Sequence, residues 1–267
     1  MAETNLFDAA LTCLQACEAA DKVALTRATA QAWRDGQLSL AATTTAQIIE
    51  TPGLPARLRL VMPRDLPQRR PDSREGRAIL FHALAHIEFN AINLAWDAVY
   101  RFRAMPAAYY ADWIRVAEEE ASHFELLRAH LNTLDADYAD WPGHNGLWEM
   151  ALKTAHDPLV RMALVPRCLE ARGLDVNPGI QGKLRAVGDD EGCALLDIIL
   201  RDEIGHVAIG DRWFRHLCAE RNLEVEASYR RLIDEYMKGP LKGPFHLEAR
   251  RRAGFSEAEL AYLQGVG

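Results

Sequence analysis

The 267-residue chain has no long apolar run free of charge, and its opening residues, MAETNLFDAA, carry neither the basic nor the apolar region of a signal peptide. Neither a membrane span nor secretion is expected, and the protein reads as cytoplasmic. Cysteine is sparse: Cys13, Cys17, Cys168, Cys193 and Cys218 are odd in number and scattered, with no CxxC pair. That excludes a disulfide framework and a zinc ribbon. Low-complexity tracts are missing, and runs of β-branched residues are few. An excess of basic residues is also missing: the net charge is -7, against a protein built chiefly to coat nucleic acid.

What remains is helical periodicity punctuated by Gly and Pro, so the class is all-α. Residues 6–36 read as two short helices divided near Asp21, and the Pro-rich stretch 50–72 reads as an extended arm. A long helix is expected from Asp72 or Ser73, with Asp72 and Glu75 as a capping box, to Pro106. A second runs from Pro106 to about Leu134. A third spans about 146–172, re-capped by Asp157, broken or kinked at Pro158 and Pro166, and stopped at Gly173. After a connector helix near Pro178, a fourth covers about Asp190 to Cys218. The tail holds a helix near 224–238, the loop GPLKGPF, and a last helix capped by Ser256 with Glu259. Three segments follow: 1–72, helices and arm; 73–220, the bundle; 221–267, a helical extension.

Polar residues stand where leucines belong. The first bundle helix has the stripe Phe81, Leu84, Ala85, Glu88, Ile92, Ala95, Val99, apolar except for Glu88. The second has Trp113, Val116, Ala117, Glu120, His123, Phe124, Leu127, Leu131. The fourth has Leu196, Ile199, Leu200, Glu203, His206, Val207, Gly210. Glu170, in VPRCLEARG, is the fourth carboxylate. Carboxylates in a core cost several kcal/mol unless protonated or matched by a cation, and two divalent ions would match four of them. In ExxH the i, i+3 spacing lets one helical turn offer an oxygen and an imidazole nitrogen to one centre.

Spacing adds an independent argument. Glu88 to Glu120 is a step of 32 residues and Glu170 to Glu203 one of 33, so each half is a Glu helix followed by an ExxH helix. One ExxH is common by chance; two on apolar stripes, each preceded by a lone Glu at nearly equal distance, are not. A metal-bound imidazole usually donates its other N–H to a carboxylate. Glu119 and Asp202, just before the ExxH glutamates, are candidates for that part, Glu119 toward His206 and Asp202 toward His123.

The segments EFNA (88–91), EASH (120–123), LEARG (169–173) and EIGH (203–206) resemble the ligand pattern of ferritin-like di-iron carboxylate proteins. HALAHIEFNAINLAWD, EEEASHFELL, LEARGLDV and RDEIGHVAIGDRWF, with the PRDLP arm and the KGPF tail, look more closely like an uncharacterised bacterial ferritin-like family of unknown function. The resemblance implies a ferritin-like antiparallel four-helix bundle with N- and C-terminal helical additions, and a di-metal site on Glu88, Glu120, His123, Glu170, Glu203 and His206. Similarity to the wider class, which includes rubrerythrins and tRNA hydroxylases, implies iron, with Mn/Fe or Mn/Mn as alternatives, and reaction of the reduced pair with O2 or peroxide. The expectation is an O2-dependent oxidase or hydroxylase whose substrate and electron donor are unknown. A ferroxidase or peroxide scavenger is the alternative, and a metal-stabilised interaction protein without turnover is the third reading. No Tyr lies within one helical turn of a proposed ligand, which argues against a stored tyrosyl radical.

Other residues compete for attention. His82 and His86 are an i, i+4 pair pointing away from Glu88 and read as buried hydrogen-bonding groups; His130 and His156 read as core or surface residues. The arm carries Arg57, Arg59, Arg64, Arg69, Arg70, Arg74 and Arg77. Pairing with acidic bundle helices is preferred over RNA binding, no membrane partner is expected, and a homodimer is allowed.

Overall fold

The computed structural model describes residues 5–265 other than Thr43, Lys238 and Pro240. The start of MAETNLFDAA and the first proline of GPLKGPF therefore lie outside the described residues. Every regular element described is helical, so the chain is all-α. It divides into two compact units, Met1–Leu152 and Lys153–Gly267. These units do not coincide with the three expected segments: the boundary falls inside 73–220, between the two Glu-plus-ExxH halves.

The first unit contains α1 (Leu6–Gln15), α2 (Ala19–Arg34), a 3-10 turn (Pro63–Asp65), α3 (Arg74–Arg101), α4 (Ala107–Thr133) and nearly all of α5 (Gly146–Lys153). Helix α3 starts one residue later than the expected capping box. Ser73, in extended backbone, accepts the Gly76 N–H at 3.0 Å. Helices α1 and α2 part at residues 16–18, not at Asp21, which sits in the first turn of α2 where a carboxylate meets the positive helix end. Helices α3 and α4 form an antiparallel pair. Contacts at Phe81 with His130, Glu88 with His123, Phe89 with Phe124 and Ala98 with Tyr109 run in opposite directions along the two helices.

Nearly the whole second half of α3 is buried, on every face, as befits a core helix. It is the one described helix long and apolar enough to cross a bilayer, and 83% of that stretch is buried. Its buried polar side chains explain why the N-terminal helices belong to this unit. Lys22 of α2, fully buried, donates to Asn93 Oδ1 at 2.6 Å and to the Cys13 and Leu14 carbonyls at 2.9 and 3.1 Å. Burial draws its pKa down to about 7. Trp96 Nε1 donates to Thr26 Oγ1 at 2.9 Å. Without α1 and α2 these groups would lose partners that water cannot replace in the core.

The second unit contains α6 (Pro158–Leu164), a π-helical turn (Val165–Glu170), α7 (Ala171–Ala186), α8 (Asp190–Glu220), α9 (Val225–Tyr236), α10 (Leu247–Arg252) and α11 (Glu257–Leu263). Asp157 caps α6 by accepting the Leu159 N–H at 2.8 Å, as expected. The expected stop at Gly173 and the separate helix near Pro178 are corrected: α7 runs through both to Ala186. Leu174, Asn177, Gln181 and Leu184 form its buried stripe, and packing of that stripe outweighs the local cost of Gly and Pro. Helix α10 was not expected at all.

Pro166 causes the π turn. It has no N–H to donate one turn back, and its ring crowds the carbonyl there, so the ladder widens. Helix α8 fits against this swelling because residue 210 is glycine: a Cβ there would lie 2.4 Å from Pro166 Cβ and Cγ. Gly205, on the same helix, has nothing within 4 Å of such a Cβ. Gly210→Ala is expected to destabilise the protein by about 1–3 kcal/mol through overpacking, whereas Gly205→Ala gains up to about 1 kcal/mol from helix propensity. Urea unfolding of the two variants checks the contrast.

Candidate metal centre

In the first unit, α3 presents Glu88 and α4 presents Glu120 and His123 from facing stripes. His123 Nδ1 lies 3.4 Å from Glu120 Oε2 and 3.8 Å from Glu88 Oε2. Each of the three offers a ligand atom within 4.8 Å of the others. Water scarcely reaches them: Glu120 is 0%, His123 1% and Glu88 5% exposed. Burial first, and the Glu120 carboxylate second, push the Glu88 carboxyl well above its usual range. Burial opposes a charged His123, yet hydrogen bonding to Glu120 and Glu88 carries its pKa up. Both shifts say the same thing: the pocket of negative charge draws in positive charge. Two carboxylates and an imidazole around one point suit a divalent cation, so this buried group can hold a metal ion.

The second unit repeats the theme. On α8, Glu203 and His206 are both buried, with His206 Nδ1 3.5 Å from Glu203 Oε1. Pairing of Pro166 with Gly210, Asn177 with Leu196 and Gln181 with Cys193 shows the π turn and α7 running antiparallel to α8. That register sets Glu170, half-buried at the end of the π turn, level with the turn of α8 holding Glu203 and His206. In the first unit Glu88 is likewise level with His123.

The support for Glu170 escaped the sequence reading. The widened turn leaves the Arg167 carbonyl to accept from the Tyr229 hydroxyl at 2.9 Å. The Arg167 guanidinium, fully buried, pairs with Asp211 at 2.9 Å and Glu259 at 2.5 Å. It lies 4.1 Å from the Tyr229 ring centroid, with Phe214 and Phe255 at 4.8 and 4.9 Å. Glu259 is also half of the expected capping box with Ser256, which is present. The only sequence hint was that box, which placed Glu259 but not its partner.

Glu119 lies 3.8 Å from Arg115, and Asp202 accepts from Arg201 Nε at 2.8 Å; both are half-buried. His82 and His86 take the hydrogen-bonding role expected of them. His82 Nε2 accepts the Ala139 N–H at 3.1 Å; His86 contacts the Tyr138 hydroxyl through Nδ1 at 3.0 Å and the His144 carbonyl through Nε2 at 3.1 Å. Tyr138 itself packs 5.1 Å, ring to ring, from Phe89 and Phe124, the neighbours of Glu88 and His123. It is delivered by the loop between α4 and α5, outside the helical turns that carry the proposed ligands. His130 packs on Phe81, and His156 lies 3.3 Å from the Tyr236 hydroxyl. Of the arm's arginines, Arg57 pairs with Asp137 and Asp140 and Arg74 with Asp135. Their partners lie in the loop after α4 rather than on bundle helices, and such exposed pairs contribute little.

Residues 15–261 match the family described as "Protein of unknown function (DUF455)". The chain belongs to the DUF455 family. An uncharacterized protein of Haemophilus influenzae is 47% identical over 214 residues, which cover 78% of this DUF455 chain and 74% of the relative. No solved structure matches the chain.

Burial lowers the pKa of His82 and of His86 to about 4. Both are neutral when folded and take up protons near pH 6.5 when unfolded. Their contribution is complete above pH 6.5 and is lost as pH falls through about 4. The double variant His82→Gln, His86→Gln is expected to flatten the loss of stability between pH 6.5 and 4, by about two protons fewer bound on unfolding. Urea midpoints across that range measure it; an unchanged slope would contradict the assignment.

Proposed function

We propose that this protein is a di-metal carboxylate oxidoreductase of the ferritin-like kind, with iron, or manganese and iron, held by Glu88, Glu120, His123, Glu170, Glu203 and His206. The observation that carries this reading is the burial of Glu88, Glu120 and His123 at ligand spacing, supported by the same Glu-plus-ExxH pattern in the second unit. Glu119 and Asp202 are proposed as outer partners of the histidines.

Bound as Fe(II), the metal pair would supply electrons to O2, so that with a further donor one oxygen atom enters an organic substrate and the other leaves as water. The chain's own part is to hold and shield. Burial of Glu120 and His123 excludes water, which strengthens their attraction to a cation. The carboxylates, protonated or proton-sharing without metal, release protons as a cation replaces them.

One observation favours a second reading. The first-unit residues are almost sealed from solvent, which suits a small oxidant more than an organic substrate and so supports peroxide scavenging. Anaerobic Fe(II) loading followed by air separates the readings. The hydroxylase or oxidase reading expects an absorbance change with O2 uptake, and scavenging expects hydrogen peroxide consumption to exceed it. No change with either oxidant would sink both and leave a metal-stabilised protein without turnover. Glu120→Ala is expected to weaken Fe(II) binding at least about tenfold, the size of effect known for losing even an outer partner of a metal ligand.

A further inference from the structure

The KGPF run of the tail lines a cavity that neither the metal ligands nor the buried Arg167 cluster uses. It measures about 380 Å³ and lies within the second unit, walled by Leu169 of the π turn, Arg172 of α7, Met237, Lys242 and Phe245 of the tail, and Arg250 of α10. That volume falls within the range of small-molecule sites. Its lining has two characters. Leu169, Met237 and Phe245 are apolar, while Arg172, Lys242 and Arg250 are cationic.

Only part of this positive charge is answered inside the protein. Arg250, 1% exposed, forks onto Asp175, with Nε to Oδ1 at 2.9 Å and Nη2 to Oδ2 at 2.7 Å. Its Nη1 finds no acceptor among the described residues. A buried guanidinium N–H without an acceptor is costly, and a ligand oxygen relieves that cost. Arg172 donates to the Pro244 and Gly243 carbonyls at 3.0 and 3.4 Å, which fastens the loop over the cavity. Its contact with Asp175 is long, at 3.5 Å. Arg250 and Arg172 thus share Asp175, and exposed Lys242 adds a further cation to the wall.

We propose that this cavity binds an amphipathic organic anion, a carboxylate or phosphate monoester whose head meets Arg250 Nη1 and Lys242 and whose apolar body lies against Leu169, Met237 and Phe245. The Arg250 guanidinium stacks on the Phe245 ring, 5.3 Å from its centroid, but inorganic phosphate would leave Leu169 and Met237 unused, and a neutral alcohol would leave Arg250 Nη1 without a charged partner. None of the residues named in its wall is among the proposed metal ligands.

Calorimetric titration of the full chain with octanoate, 1-octanol and inorganic phosphate tests it. Saturable binding of octanoate at one site is expected, at least about tenfold tighter than either of the others. Lys242 is exposed, so Lys242→Glu is expected to leave helicity and melting temperature unchanged while weakening octanoate at least about tenfold. Phe245→Ala should weaken octanoate and leave phosphate as it was. Absence of saturable octanoate binding, equal binding of 1-octanol or phosphate, or unchanged affinity in Lys242→Glu would overturn the proposal.

Discussion

Glu88 and Glu120 lie beside His123 in the core of a helix pair, where water cannot solvate them. Two carboxylates so placed repel one another and are poorly hydrated, and a cation or shared protons must compensate. Much of the first unit follows from that need. The antiparallel register of α3 and α4 sets the three side chains at one level. Helix α1 packs along α3, and Lys22 and Thr26 of α2 answer the buried Asn93 side chain and Trp96 N–H of α3. His82 and His86, metal-ligand types close by in sequence, are instead committed to Ala139, Tyr138 and His144.

The second unit reaches a comparable arrangement by a less regular route. Pro166 widens the helix just before Glu170, Gly210 lets α8 approach that swelling, and the Tyr229 hydroxyl takes the Arg167 carbonyl. Arg167 then binds Asp211 of α8 and Glu259 of α11. The C-terminal helices thus fasten the turn that carries Glu170. This gives the tail a structural reason that an unadorned helical bundle would lack.

The all-α class and the main helices were legible because each long helix keeps its apolar period and each cap uses local chemistry. Ser256 with Glu259 is an example: all the information lies within four residues. The buried carboxylates were legible for the same reason, as breaks in an apolar stripe. What was not legible depends on contacts distant in sequence. Gly173 and Pro178 read as helix breakers, yet α7 continues because its stripe packs on α8. Arg167 could not be paired with Glu259, 92 residues away, nor Tyr138 brought to Phe89 and Phe124 from a loop. The division between residues 152 and 153 was foreshadowed only by the near-equal spacing of the two halves.

Diffraction from crystals grown with saturating Fe(II) without oxygen, recorded on either side of the iron absorption edge, tests the central claim most directly. The account predicts two anomalous peaks, with Glu88, Glu120, His123, Glu203 and His206 among their ligands and Glu170 turned toward them. Iron found only at surface carboxylates, with Glu88, Glu120 and His123 still packed on each other and free of metal, would contradict it.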